Sequence, residues 1–388
     1  MIKYFIVLLS LTSFAFAQFS ATPIGDLGTG YYKKFYQGGL YPNGSNVAPS
    51  QYNAAGLSAG AAVHPMNPDG RSCTSGPTCY IVMVGAGMSI AVGEFDAFSR
   101  NPAAINSQLL LHNGAIGGQD LPCWINAYGP PSDSACALGQ QNPWDKIVND
   151  LVKGGLSNLQ VQVLWFEDAN SRLATNGQYS NSMCAPINCV PLDANNAGNN
   201  TATRTDALSY EQALGEVARA AKIRFPNLKQ LFLSGRPYAG WAAAAGISPE
   251  PYAYEQGFGV KWLIGAQINR LAGGKTDSIA GDLSLSVAPW IGWAGWCGAS
   301  TTTRCGYATG QAIPIAQGSW GNGPNRRSDG LFWCDNSDTP QAPCNGKYDD
   351  MDSSDGPHLS SNPQSGYNMV GQMLTNFFLH SNYTPWFP

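Results

Sequence analysis

Unbroken apolar runs alternate with stretches of helical periodicity along most of the chain. Tyr80, Ile81, Val82, Met83 and Val84 form a run stopped at Gly85, the pattern of a strand buried on both faces. Leu109, Leu110 and Leu111 form a second, residues 159–166 a third and Gln230-Leu231-Phe232-Leu233-Ser234 a fourth; residues 283–287 read as a fifth. Between them, Trp144, Ile147, Val148 and Leu151 recur at helical spacing after Pro143, and Gly154-Gly155 ends the segment. Ser209-Tyr210-Glu211-Gln212 matches a capping box near the start of a helix running to about Arg224. Pro249 or Pro251 opens the next helix, which carries Tyr254, Phe258, Trp262 and Ile264 and runs on to Leu271. Val370, Met373, Leu374, Phe377 and Phe378 make one face of a last helix over about residues 365–379. Strands alternating with helices predict an α/β fold with a mostly parallel sheet of about five strands, covered on both faces. Ligands of such sheets bind beyond the carboxyl ends of the strands.

The remaining segments set the domain plan. Residues 18–79 are rich in Gly, Pro and Asn with little periodicity, and read as an extension packed on a main domain of residues 80–388. Residues 172–205 and 290–363 read as long loops, the second holding Trp290, Trp293 and Trp296. No repeat or low-complexity tract is present. At the N-terminus, Lys3 precedes a short apolar run and the sequence Ala15-Phe16-Ala17. These are the parts of a secretory signal, with cleavage expected after Ala17. The run is too short to span a bilayer, and no later run is long enough, so no membrane association is expected once the signal is removed.

Composition narrows the function classes. The 388 residues carry 21 Lys+Arg against 25 Asp+Glu, a net charge of −4, with no basic run; nucleic-acid binding needs a basic footprint. Ten cysteines fall into five close pairs in chain order, beginning with Cys73 and Cys79, then Cys123 and Cys136. Five local disulfides are the simple expectation for a secreted chain, although spacing alone does not fix connectivity. No C-x-x-C occurs and only four histidines are present, so no metal site is expected. Asn43, Asn199 and Asn382 begin N-x-S/T sequons.

The chemistry sits just after the strands. Gly85-Ala86-Gly87-Met88-Ser89 follows the first, and Asn113 to Gly118-Gln119 the second. Glu167-Asp168-Ala169-Asn170 follows the third, and Asp355-Gly356-Pro357-His358 precedes the last helix. A serine, a Gly-rich turn, an amide and an Asp/His pair at one sheet edge are the inventory for acyl transfer. A serine hydroxyl needs a base to become nucleophilic, a neutral histidine serves near pH 7, and a carboxylate orients the imidazole. Backbone N–H groups of Gly-rich turns supply donors for the developing oxyanion.

In this order of blocks the chain resembles the SGNH, or GDSL-type, hydrolases, in the manner of a secreted esterase-like subgroup. Gly87-Met88-Ser89 stands for the G-D-S turn, Asn113 to Gly118 for the second block, Asn170 for the third-block amide, and Asp355 with His358 for the final D-x-x-H. The pieces Tyr41-Pro42-Asn43-Gly44-Ser45 and Ser248-Pro249-Glu250-Pro251-Tyr252 also look like that subgroup. The resemblance implies a three-layer flavodoxin-like fold and a monomeric serine esterase without a cofactor. Ser89 would be the nucleophile, His358 the base and Asp355 its orienting acid, with Gly118 and Asn170 as oxyanion donors. The implied substrate is a small-molecule or polysaccharide ester, with O-acetyl groups on carbohydrate the first choice. Arg236 and Trp293 are candidate substrate contacts.

Other readings remain open. The same scaffold without catalysis would be a carbohydrate- or surface-binding protein. Paired carboxylates among Glu94, Asp96, Glu167, Asp168 and Glu255 would suit a glycosidase. Gly56-Leu57-Ser58-Ala59-Gly60 fits a nucleophile elbow, but no strand precedes it. His112 is the reserve base, and Asp349, Asp350, Asp352 and Asp355 read as a solvated acidic loop rather than a calcium site.

Overall fold

A computed structural model describes residues 21–101, 105–131, 136–170, 191–193, 205–239, 248, 250–294, 333–334, 350–352, 358–362 and 366–388. The signal sequence, Asp355, Trp296 and the cysteines at 184, 189, 297, 305 and 344 lie outside these residues.

Five strands form one parallel sheet: β1 Ile81–Gly87, β2 Leu109–Asn113, β3 Val161–Glu167, β4 Gln230–Leu233 and β5 Trp290–Trp293. Their spatial order is 2-1-3-4-5, that of flavodoxin-like doubly wound sheets, and the connection reverses direction between β1 and β3. Every residue of β1, β3, β4 and β5 is buried, which is why these strands read as continuous apolar runs.

Helices α1 Ser50–Ala61, α2 Ser89–Ser99, α3 Pro143–Lys153, α4 Asp206–Arg224, α5 Tyr252–Leu271 and α6 Gly366–His380 surround the sheet. Successive side chains of β3 reach opposite layers. The Trp165 ring stacks on Phe95 of α2, with centroids 5.8 Å apart. Phe166 meets Trp124 edge-on, Trp124 meets Trp144 of α3, and Trp144 meets Phe225 at the end of α4. α6 joins α2 on its layer through the Phe98–Phe378 contact.

Three expectations are corrected. The fifth strand is Trp290–Trp293, and residues 283–287 form a turn with Leu285 and Val287 exposed. Their apolar–polar alternation imitates a half-buried strand, whereas a parallel strand beside β4 must be apolar on both faces. Trp290 and Trp293 are therefore strand residues of the core, not residues of a loop after the strand. Helix α4 starts four residues ahead of the supposed capping box: the Thr205 side chain accepts the Leu208 N–H, and Ser209 is already inside the first turn.

The segment before β1 shares the main core through Leu40, Tyr41, Tyr52 and Val63. α1 lies along β5, with Gly56 against the Trp290 ring. Tyr52 Oη donates to the Ile291 carbonyl, the Trp290 indole donates to the Tyr52 carbonyl at 3.3 Å, and the Ile291 N–H donates to Gln267 Oε1 at 2.8 Å. Both outward backbone groups of Ile291, on the last strand, are thus met by side chains. The Gly56 to Gly60 elbow-like sequence lies within α1, where Ser58 is exposed.

Disulfides join Cys73 to Cys79 and Cys123 to Cys136, each the neighbouring cysteine in the chain, and Cys334 is also disulfide-bonded. Among the described residues no helix is long and apolar enough to cross a membrane.

Candidate active site

The site forms at the carboxyl end of β1, the reversal point of the sheet. β1 ends at Gly87 with φ +131°, a conformation that favours glycine, and a Cβ there would overlap the Glu167 carbonyl oxygen on β3. Met88 is extended and buried, and Ser89 is the first residue of α2. No side chain caps this helix, and the first backbone N–H to find an acceptor within it is that of Val92. The N–H groups at Ser89 and the next residues therefore face the site with the positive end of the helix dipole.

A second stretch brings the histidine. The Asp352 N–H donates to the His358 carbonyl and the Ser360 N–H to the Asp350 carbonyl, both at 2.8 Å, so residues 350–352 and 358–360 run side by side. The buried Asp350 carboxylate accepts the N–H of Cys334 at 2.7 Å and that of Gly366 at 3.0 Å. This corrects the solvated acidic loop at Asp350: the carboxylate is a structural tie. Gly366 has φ +53°, and a Cβ on it would strike the Ser360 carbonyl. Held in this way, His358 Nε2 lies 2.7 Å from Ser89 Oγ. Asp355 lies outside the described residues.

The loop after β2 supplies the third side. The Gly114 N–H donates to the Gly85 carbonyl and the Ile116 N–H to the Gly87 carbonyl, at 2.8 and 2.9 Å. The loop therefore follows β1 to its end and sets Gly117 beside Ser89, with a notional Gly117 Cβ 3.9 Å from the serine Cβ. Among the described residues the Gly118 N–H has no backbone acceptor. Gln119 next to it is fully buried, and neither Nε2 nor Oε1 has a partner. Sequence reasoning gave Gln119 no role of its own.

Asn170 is buried after β3. Its Nδ2 donates to Asp206 Oδ1 at 2.9 Å, its carbonyl accepts Ser248 Oγ, and its Oδ1 has no partner. The Ala169 carbonyl accepts the Leu121 N–H at 3.1 Å, which brings the Gly118 and Asn170 loops together. One amide hydrogen of Asn170 is thus committed to Asp206 and the other is available.

The two candidate substrate contacts, Trp293 and Arg236, are both buried among the described residues. Trp293 is 3 % exposed in β5, and its indole donates to the Leu40 carbonyl at 3.1 Å. Arg236 is 2 % exposed, with Nη1 3.9 Å from Glu167 Oε1 and neither Nε nor Nη1 hydrogen-bonded. Neither side chain lies open on a cleft wall. Arg236 faces Glu94 of α2 and Glu167, both buried, and among the described residues Glu94 Oε2 and both Glu167 oxygens have no hydrogen-bond partner. Burial raises the Glu94 carboxyl well above its usual range, the Glu167 charge adds to this, and Arg236 opposes it. Burial likewise raises Glu167, against the pull of Arg236. This charged group sits below the turn that carries Ser89, since Glu167 pairs with Gly87 in the sheet.

His112 does not join the site. It pairs with Val84 inside the sheet, its pKa is lowered by burial, and its charged neighbours are Asp150 and Lys146 of α3. Asp120 lies within 4.8 Å of Cys123 and Cys136, but both sulfurs are spent in their disulfide, so this cluster is no metal centre.

The arrangement offers a hydroxyl, an imidazole in hydrogen-bond contact with it, and backbone donors from a helix start and a glycine turn. No protein-family model matches the chain, and no curated protein matches it.

Proposed function

We propose that the protein is a secreted serine esterase of the SGNH type. The observation that carries this reading is the 2.7 Å contact between His358 Nε2 and Ser89 Oγ, made by residues that the sequence keeps 269 positions apart. In the proposed reaction His358 removes the Ser89 proton as Oγ attacks the ester carbonyl. The Ser89 and Gly118 N–H groups, with the Asn170 amide, receive the oxyanion. His358 then gives its proton to the departing alcohol, and water releases the acid by the same steps in reverse roles. Asp355, three residues before His358, is proposed to orient the ring. The proposed substrates are carboxylic esters, with O-acetyl groups on carbohydrate first, because the Ser89–His358 contact suits acyl transfer and the N-terminus reads as a secretory signal.

A fluorophosphonate probe tests the reading. Labelling of the wild-type protein at Ser89, abolished in Ser89→Ala, is expected. Folded wild-type protein that takes no label would instead support a non-catalytic binding protein on this scaffold. Hydrolysis of glycosides that survives Ser89→Ala would point to the carboxylates.

A further inference from the structure

A separate cavity of about 620 Å³ opens between the segment around Tyr36, helices α4 and α5, and the turn at Asp277. None of Ser89, Gly118, Asn170 or His358 lines it. Its size is that of a small-ligand pocket.

Its lining carries two carboxyl groups, Glu211 and Asp277, and one ammonium, Lys261. Glu211 of α4 lines the cavity, is 5 % exposed, and has no hydrogen-bond partner among the described residues. Its charged neighbour is Asp277, a second carboxylate. Asp277 Oδ1 is occupied by the N–H groups of Ile279 and Ala280, at 2.7 and 2.9 Å. Lys261 also lines the cavity, and its Nζ is held by the carbonyls of Gln37 and Gly38, turned to that wall rather than to Glu211. Burial, with Asp277 behind it, raises Glu211 to about 8. A buried carboxyl kept unpaired in a structural core is a liability. One that faces an open cavity is suited to a cationic ligand.

The rest of the wall says which cation. Two carboxyl groups suit a metal poorly here, since Ca²⁺ takes six to eight oxygens and Asp277 Oδ1 already accepts two backbone N–H groups. Tyr36 and Trp262 stand side by side on the cavity, with centroids 6.1 Å apart and planes at 44°. Such faces accept an apolar ring surface or an ammonium group. Gln37 and Ser278 add groups that hydrogen-bond hydroxyls. An ammonium group, an apolar ring face and several hydroxyls are combined in an amino sugar.

We propose that this cavity binds an amino sugar, its ammonium group on Glu211 and Asp277 and its ring against Trp262. The site is independent of the chemistry at Ser89.

Calorimetric titration of the purified protein at pH 6.5 with glucosamine, glucose and methylammonium tests it. Glucosamine is expected to bind at least about tenfold more tightly than either of the others, since a charge-assisted hydrogen bond is worth that much. Binding should also expel the Glu211 proton, seen as a heat that depends on the ionisation enthalpy of the buffer; glucose should expel none. Glu211→Gln should weaken glucosamine by about tenfold or more, Trp262→Leu should weaken it too, and Ser89→Ala should leave it unchanged. A β-1,4-linked glucosamine dimer, compared with the monomer, separates a polymer end from the free sugar as the source. Absence of glucosamine binding, equal binding of glucose, or binding without proton release in wild-type protein would overturn the proposal. So would unchanged binding in a Glu211→Gln variant that keeps the parent unfolding temperature.

Discussion

The Glu167 carbonyl oxygen lies against Cα of Gly87, in the space a Cβ at residue 87 would need. β3 therefore fixes the last residue of β1, and the turn that carries Ser89 is set by the sheet rather than by the loop. Gly87→Ala combines a left-handed backbone angle with a collision against main chain. It is expected to cost about 3 kcal/mol of stability and to reduce fluorophosphonate labelling. Chemical denaturation and labelling rates on the same sample check both effects.

Ser89→Ala and His358→Ala should each lower ester hydrolysis by about 10³-fold or more, and the double variant should be no worse than the poorer single. The two groups act as one unit, so their losses do not add. Steady-state rates on a chromogenic acetate ester are the measurement; fully additive losses would show that the contact is not used in catalysis.

Asp350→Ala should act on His358 from a distance. The substitution removes the acceptor of the Cys334 and Gly366 N–H groups, with an expected cost of about 3 kcal/mol. Labelling of Ser89 should slow even under conditions where the variant remains folded. Thermal unfolding and probe kinetics separate the two losses.

Stability should fall as pH rises from 5 to 9. Burial raises Asp206 and Glu250 to about 7 and Glu211 to about 8, while in the unfolded chain such groups titrate near 4. Between those limits the folded protein holds more protons than the unfolded chain. The stabilisation is therefore complete below the unfolded value and is lost as pH passes 7 to 8. An unfolding temperature lower by about 10 °C or more at pH 9 than at pH 5 is expected, and Glu211→Gln should flatten part of the slope.

Removing the Cys73–Cys79 and Cys123–Cys136 disulfides should have different consequences. The Cys123–Cys136 bridge closes the longer loop, and the adjacent Ala137 N–H donates to the Gly118 carbonyl at 3.3 Å. Its loss should cost about 3 kcal/mol and disturb labelling of Ser89. Loss of Cys73–Cys79 should cost about 2 kcal/mol and leave labelling intact. Paired Cys→Ala variants, unfolded in denaturant, give the comparison.

The sheet was legible where burial on both faces leaves an unmixed apolar run, as at Ile81 to Val84 and Leu231 to Leu233. Helices α3 and α6 showed themselves through one apolar stripe. α1 did not, because it packs through Gly56 and Gly60 rather than through large side chains, and close approach leaves no periodic signature. α2 was read only as the place where a serine follows a strand: Ile90, Ala91, Glu94, Phe95 and Phe98 are all buried, so no polar face marks its period. Ser89 and His358 were found because their chemistry and order are written in short motifs. The Glu94, Glu167 and Arg236 group was not, since nothing in a charged residue's identity tells that the fold will enclose it.

The Tyr52 hydroxyl and the Gln267 amide fill the outer rim of Ile291, where another polypeptide would otherwise dock and extend the sheet. The Gly- and Pro-rich lead-in thus supplies, through Tyr52, part of the cover on the last strand of the sheet. A chain trimmed to begin at residue 80 should expose that rim and elute as oligomers, although every strand of the sheet would still be present.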